Sequence, residues 1–245
     1  MNRKPAASIP PASLLDRQAD WLAPARSRLL RKVAVARRRR ILEVGAAFGT
    51  ISHELARRGG GSVVALDSVL PATSEKPGIP DFLRVRAMAE TLPFRPKVFD
   101  LVFFQMALLW MNAPRALAEA VRSLESGGAL IAIEPDYGGM IEFPASVETR
   151  DVWIAGLRRA GADPRVGRKL PALLEEMRLR VTVDLIPQLI PPAPERFDLL
   201  EGLPLSENER LRLEQARAAD KAHVERGESV VAHLPFFLIT AFRME

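Results

Sequence analysis

The sequence predicts an α/β fold with a mostly parallel sheet and helices on both of its faces, and two observations carry that prediction. From Ile41 onward, short apolar runs alternate with helix-length segments. The first run, Ile41-Leu42-Glu43-Val44, passes into a turn punctuated by Gly45 and Gly49, and a later run, Val63-Val64-Ala65-Leu66, ends in the carboxylate Asp67. A strand, a tight turn and a helix followed by a second strand is half of a nucleoside-binding site.

The elements follow in order. Residues 12 to 34 space Leu14, Leu15, Trp21, Leu22, Leu29 and Leu30 at helical intervals, which predicts one or two helices over the mouth of the site. Residues 1–38 are therefore read as an N-terminal helical segment and 39–245 as the main domain. A strand at 40–44, a helix at about 48–58 and a strand at 62–67 come next, with Gly59-Gly60-Gly61 as the helix stop. Such alternation implies right-handed crossovers. Pro71, Pro77, Gly78 and Pro80 make any second crossover helix short or broken. Strands are expected at about 82–86 and over Phe99 to Phe104. Asn112 and Pro114 open a helix to about Leu124, and Gly127-Gly128 turns the chain into a strand at 129–134.

Further on, helices are expected at 146–160 and 170–177, and a strand at about 180–187. Pro191-Pro192-Ala193-Pro194 reads as a stiff connector, and Ser206 with Glu209 forms a capping box that opens a helix to about Arg226. Residues 231–243 read as one last strand. The segment at about 188–229 is too long for a hairpin loop and is read as a small inserted cap.

Composition narrows the chemistry. A chain of 245 residues suits one α/β domain plus a small cap. There is no cysteine, which excludes disulfides, thiolate metal sites and a cysteine nucleophile. His53, His223 and His233 lack metal-ligand spacing, so no metal is expected. The amino terminus leads into Ile9-Pro10-Pro11 rather than an apolar run, and the apolar stretch Leu101 to Met111 falls short of the roughly 18 residues of a membrane span. The expectation is a soluble, cytoplasmic protein without a membrane span. Its oligomeric state is not legible.

Charge is uneven. Residues 1–40 hold eleven Lys/Arg against two Asp, +9, and the remainder carries −4 of the total +5. One reading is a phosphate-contacting face for nucleic acid. The favoured reading has Arg26, Arg28, Arg31 and Lys32 on the solvated side of a helix and Arg37 to Arg40 flanking the first strand, because no aromatic residues interleave with them for base stacking.

Glycine spacing separates the nucleoside classes. A dinucleotide fingerprint starting at Gly45 needs glycines at 47 and 50, where the chain has Ala47 and Thr50. The acidic-x-Gly-x-Ala-x-Gly pattern of Glu43 to Gly49 instead resembles the first motif of the class I S-adenosylmethionine (SAM)-dependent methyltransferases. Three further blocks follow in the family's order. They are Asp67; Ala89-Glu90-Thr91-Leu92-Pro93-Phe94, similar to a stretch of the small-molecule and quinone-type subgroup; and Phe99-Asp100-Leu101-Val102 with Gly127-Gly128 and Glu134 to Gly139. The blocks span about residues 40 to 140. Gly161-Ala162-Asp163-Pro164 and Gly167 to Pro171 also look like the carboxyl-terminal portion of that subgroup.

The resemblance implies a Rossmann-like seven-stranded sheet with its final strand antiparallel, and SAM across the carboxyl ends of the first, second and fourth strands. By position, Glu43, Gly45, Ala47, Phe48 and Gly49 would surround the methionine moiety and Asp67 would bind the ribose. Met88 and Ala89 would flank the adenine, and Gln105 would face the amino-acid or sulfonium region. The chain departs from the pattern twice. Ala47 replaces the middle glycine, which is tolerated if φ stays negative there. Met88 stands where the family usually has an aspartate that accepts the adenine amino hydrogen bond, worth roughly 1 kcal/mol.

Methyl transfer leaves the protein to orient a nucleophile, exclude water and, for a hydroxyl acceptor, remove a proton. Candidates are Tyr137, the only tyrosine, with Glu134 and Asp136 at the end of the fifth strand. Their alternative is a turn that Asp136 caps. Trp110 and Met111 are pocket or core, His53 a surface or packing residue, and Arg168 a helix-entry salt bridge. The leading expectation is a methyltransferase of a small, apolar or aromatic substrate. The alternatives are an RNA methyltransferase that uses the basic amino terminus, and a non-catalytic methyltransferase-like binding or assembly protein.

Overall fold

The computed structural model describes residues 9–71, 82–186 and 195–244. Helix α1 (Ala12–Lys32) precedes strand β1 (Arg40–Val44), α2 (Thr50–Arg58), β2 (Ser62–Asp67), β3 (Leu83–Arg86), β4 (Phe99–Gln105), α3 (Ala113–Ser123) and β5 (Leu124–Pro135). Then come β6 (Ile141–Phe143), α4 (Arg150–Arg159), α5 (Val166–Glu176), β7 (Leu179–Leu185), α6 (Glu195–Glu201), α7 (Glu207–Glu225), β8 (Val231–His233) and β9 (Phe236–Arg243). The main sheet has seven strands in the order β3-β2-β1-β4-β5-β9-β7. Only β9 runs against its neighbours, antiparallel to both β5 and β7. This is the mostly parallel, Rossmann-like sheet that the sequence predicts.

Alternation along the strands divides the core in two. Leu42, Val44, Val102, Phe104, Leu130 and Ala132 face α3, α4 and α5, whereas Ile41, Leu101, Phe103, Ala129, Ile131 and Ile133 face α1 and α2. Strands covered on both faces must be apolar throughout, and β4 and β5 are. The site therefore lies not between the faces but at the carboxyl ends of the strands.

Several elements differ from expectation, each for a local reason. Of the one or two helices expected at 12–34, a single one spans Ala12–Lys32 and continues through Pro24. Strand β5 starts at Leu124, and its register with β4 shifts between Phe99 and Leu101 to accommodate the Gly127-Gly128 turn. Helix α5 begins four residues early because Gly167 lets it pack on β5: a Cβ there would lie 2.9 Å from the carbonyl oxygens of both Glu134 and Pro135. The last strand is two strands divided at Leu234-Pro235, and β8 pairs with β6, which carries no signal in the sequence. The expected connector at 191–194 and most of the 68–80 segment lie outside the described residues.

Arginine 26 corrects the reading of the first helix. It is only 4 % exposed, since Nε bonds Glu54 at 2.7 Å and Nη1 bonds both the Ala19 carbonyl and Gln105 Oε1. An amphipathic pattern cannot tell a buried guanidinium with partners from a solvated one. Arg38 bonds the carbonyls of Val33 and Asp100, while the Asp100 carboxylate accepts the backbone N–H groups of Arg39 and Arg40 at 2.6 and 3.0 Å. These groups anchor the entry to β1, as the flanking role expected of Arg37 to Arg40 requires. Replacing Asp100 by Ala should orphan two N–H groups and cost about 2 kcal/mol. Urea unfolding would register this as a lower midpoint at unchanged slope, and an unchanged midpoint would contradict it.

Candidate cofactor and acceptor site

The turn after β1 is held by its neighbours. Gly45 and Ala46 both donate to the Leu66 carbonyl at 2.8 and 3.1 Å, and Ala47 donates to Asp67 Oδ2 at 2.8 Å. Gly45, Ala47 and Gly49 all have positive φ, at 83°, 44° and 81°. The condition set for Ala47 is thus not met: its methyl sits in the left-handed region, at a cost of roughly 1–2 kcal/mol that the Asp67 bond helps offset. At Gly45 a Cβ would fall 2.4 Å from that of Ala107, so glycine is needed for space as well as for φ.

A cavity of about 520 Å³ opens on this turn. Glu43, Gly45, Ala47, Phe48, Asp67, Met88, Ala89 and Gln105 all line it. Of the predicted cofactor residues only Gly49 does not; it precedes α2 and packs against the Phe82 ring. Met88 is half exposed, and Trp110 and Met111 also reach the lining. Helix α1 covers one side through Leu14, Gln18 and Ala19, tied down where Thr50 Oγ1 donates to Asp16 at 2.6 Å. The α1 residues, Ser52 and Arg26 are site residues that motif reading does not reveal; only the apolar stripe of α1 hinted at them.

Glu43 is the buried carboxyl of the cavity. The Ser52 hydroxyl donates to it, yet burial wins over that bond and over the Arg26 charge, and pushes its pKa up to about 8. Glu134 is fully buried and does not line the cavity. Its Oε1 accepts the backbone N–H groups of Ala107 and Leu108, both at 2.9 Å, Oε2 has no partner among the described residues, and burial raises its pKa to about 7. It shapes the loop after β4. Asp136 accepts from Gly138 N and pairs with Arg168 at 2.5 Å, so it forms the capped turn that was the alternative, with Arg168 in the first turn of α5. His53 packs edge-on against Phe82.

Tyr137 is different. It stacks on Trp153 with ring centroids 4.8 Å apart, and it lines both the large cavity and a second one of about 320 Å³. Leu14, Gln18, Met106, Trp153 and Leu199 are also common to the two. Burial, and then the Glu134 carboxyl, pushes the Tyr137 phenol above its usual pKa, so it stays protonated at neutral pH.

Comparison with known proteins agrees with this arrangement. Residues 42–132 match the family described as Methyltransferase domain. No curated protein matches the chain. Among solved structures, the YcgJ protein of Bacillus subtilis superposes with a TM-score of 0.64 at 13 % identity, over 91 % of this chain and 99 % of that one. A SAM-dependent methyltransferase from Methanosarcina mazei gives 0.54 at 16 %, over 89 % and 98 %. Phosphoethanolamine N-methyltransferase 2 of Haemonchus contortus, in complex with SAM, gives 0.58 at 13 %, over 91 % and 53 %. Fold and family match agree: residues 42–132 match a Methyltransferase domain, within a fold shared with solved SAM-dependent methyltransferases.

SAM would suit the site chemically: the Glu43 and Asp67 carboxyls line the cavity, where a ligand with a cationic end and ribose hydroxyls would find acceptors, and Leu66, Ala89 and Leu109 give it an apolar wall that a purine would suit. The buried carboxyls of Glu43 and Glu134 set a pH dependence. Their folded pKa values exceed the unfolded value of about 4.5, so the native state holds protons that the unfolded state has lost. Stability should therefore fall as pH rises from about 5 to 8, by at most about 1.4 kcal/mol per pH unit for each group. Glu119 and Glu209, held low by hydrogen bonds from arginine, titrate below this window. The thermal midpoint should decline over that range and decline less in Glu43→Gln; equal slopes in both proteins would contradict the assignment.

Proposed function

We propose that this protein transfers the methyl group of SAM to a small, apolar or aromatic molecule. The observation that carries the reading is the smaller cavity, lined by Leu14, Trp21, Met106, Met140, Trp153 and Leu234, which meets the cofactor cavity at Tyr137. Apolar walls around a few polar groups suit a small ligand. On this reading residues 9–38 and the described part of the insertion, 195–229, close the site, α6 contributing Leu199 and the turn after it Leu203.

Each residue then has a role that its surroundings support. The Gly45–Phe48 turn and Glu43 hold the methionine end of SAM, with the ammonium favouring ionised Glu43. Asp67 keeps lone pairs for the ribose hydroxyls beyond those taken by Ala47 and Val69 N–H. Met88 and Ala89 flank the adenine. Gln105, braced by Arg26, turns its amide to the amino-acid end. The cofactor supplies an electrophilic methyl group for in-line displacement. Tyr137, protonated, orients an acceptor lone pair, while α1 and the Trp153 ring exclude water. A protonated phenol does not serve as a base, which favours acceptors nucleophilic without one, or acceptors that reach the neutral imidazole of His233 in the smaller cavity.

The RNA alternative is less favoured. Arg37 to Arg40 stand at the opposite end of β1 from the cavity, and Arg26 is buried. RNA held there would lie a strand's length from the transferred methyl. Calorimetry should show binding of SAM and S-adenosylhomocysteine, weakened at least about tenfold in Asp67→Ala, the loss of one or more hydrogen bonds to an ionised group. Unchanged affinity in that variant would overturn the ribose assignment, and no binding at millimolar ligand would overturn the function.

A further inference from the structure

We propose that the acceptor is a phenol or other hydroxyl compound and that His233 is the base that takes its proton, which rests on the reading of the smaller cavity as the acceptor site. His233 lines that cavity from the end of β8. Two backbone contacts fix its chain beside the Tyr137 loop: Asp136 N–H donates to the Pro235 carbonyl at 2.9 Å, and His233 pairs with Ile141 where β6 meets β8. Tyr137 and Met140 lie between those contacts in the chain and line the same cavity. A volume of about 320 Å³ is at the lower end of small-ligand pockets, so a single aromatic molecule in it meets most of the walls.

Elimination among the lining groups singles out the imidazole. Arg17 and Arg196 stay cationic, Tyr137 keeps its proton, and neither Gln18 nor the apolar walls can take one up. His233 differs. Partial burial lowers its pKa and no carboxylate counters that, so the ring is neutral and one nitrogen can accept a proton. Among the described residues no side chain bonds this ring, in contrast to His223, which Ser146 and Glu228 engage. Glu142, beside the pairing partner Ile141, is committed to Thr149 and Arg150. A base in this place has work only for an acceptor that must lose a proton. Amines with a free lone pair and carboxylates need none, whereas a hydroxyl is un-ionised at neutral pH. In the step, the acceptor oxygen gives its proton to the free ring nitrogen and forms the O–C bond as the methyl–sulfur bond breaks, the electron pair of that bond staying on sulfur. The imidazolium then releases the proton to water.

Two acceptors that share one aromatic body separate the possibilities: 2-naphthol and the more acidic 2-naphthalenethiol, which ionises without help. The full chain with SAM is assayed for S-adenosylhomocysteine and for the methylated product. His233→Gln should lower the naphthol rate at least about a hundredfold and change the thiol rate by less than about threefold. Imidazole in the buffer should restore part of the naphthol activity of His233→Ala. A readout without turnover uses S-adenosylhomocysteine in place of SAM: the ring NMR signals of His233, identified by their loss in His233→Gln, should shift when 2-naphthol is added, and those of His53 and His223 should not. Equal losses with both acceptors, a naphthol rate indifferent to His233→Gln, or unmoved His233 signals would overturn the base and leave the acceptor cavity standing. Methylation of the thiol alone by the unaltered protein would overturn the hydroxyl class. Methylation of neither, in a protein that binds S-adenosylhomocysteine, would overturn the acceptor reading of the cavity itself.

Discussion

The structure depends on a turn that must touch two neighbours at once. Between β1 and α2 the chain donates three N–H groups to the end of β2, while Gly45 passes so close to the loop after β4 that no Cβ fits. Gly45 and Ala47 make these contacts with positive φ, and Gly49 at the start of α2 has positive φ too. Local strain of this kind survives where surrounding structure determines it, and here the Leu66 carbonyl and the Asp67 carboxylate do so. Asp67 is then both the support of the turn and a group that lines the cavity. On the proposed reading, cofactor chemistry and local folding share one carboxylate.

Buried charge organises the rest of the site. Glu134 holds the 107–108 backbone from below, and Arg26 ties α1 to α2 and to Gln105 at the end of β4. Each would be costly alone: a buried polar group that loses its partner forfeits more than the bond is worth. Together they fix the loop and the helix that separate the cofactor cavity from solvent. The elevated pKa values of Glu43 and Glu134 express the same balance, since burial outweighs the hydrogen bonds that favour their ionised forms.

Much of this was legible in the sequence, for physical reasons. Strand and helix periodicity is local, and β1, β2, β4, α3 and α7 fell within a residue or two of expectation, the last two marked by the Asn112 cap and the Ser206–Glu209 box. The cofactor turn was legible because glycine spacing records backbone geometry. What was not legible depends on contacts between distant segments. Nothing local distinguishes Arg26 from Arg28, and only the meeting of α1 with Glu54 and Gln105 makes it a buried residue. The β6–β8 pair joins two three-residue strands too short to show alternation. Glu134, Asp136 and Tyr137 are adjacent in sequence yet face a backbone loop, a turn and a cavity respectively, a division that depends on how β5 ends.

The central claim is that the turn at 45–50 and the first half of α1 form the two sides of one cofactor site. Hydrogen exchange of the full chain with and without S-adenosylhomocysteine tests it directly. The account predicts slowed exchange in residues 43–50 and in residues 12–20 at the same ligand concentration. Protection absent from the turn, or confined to segments outside both, would contradict it.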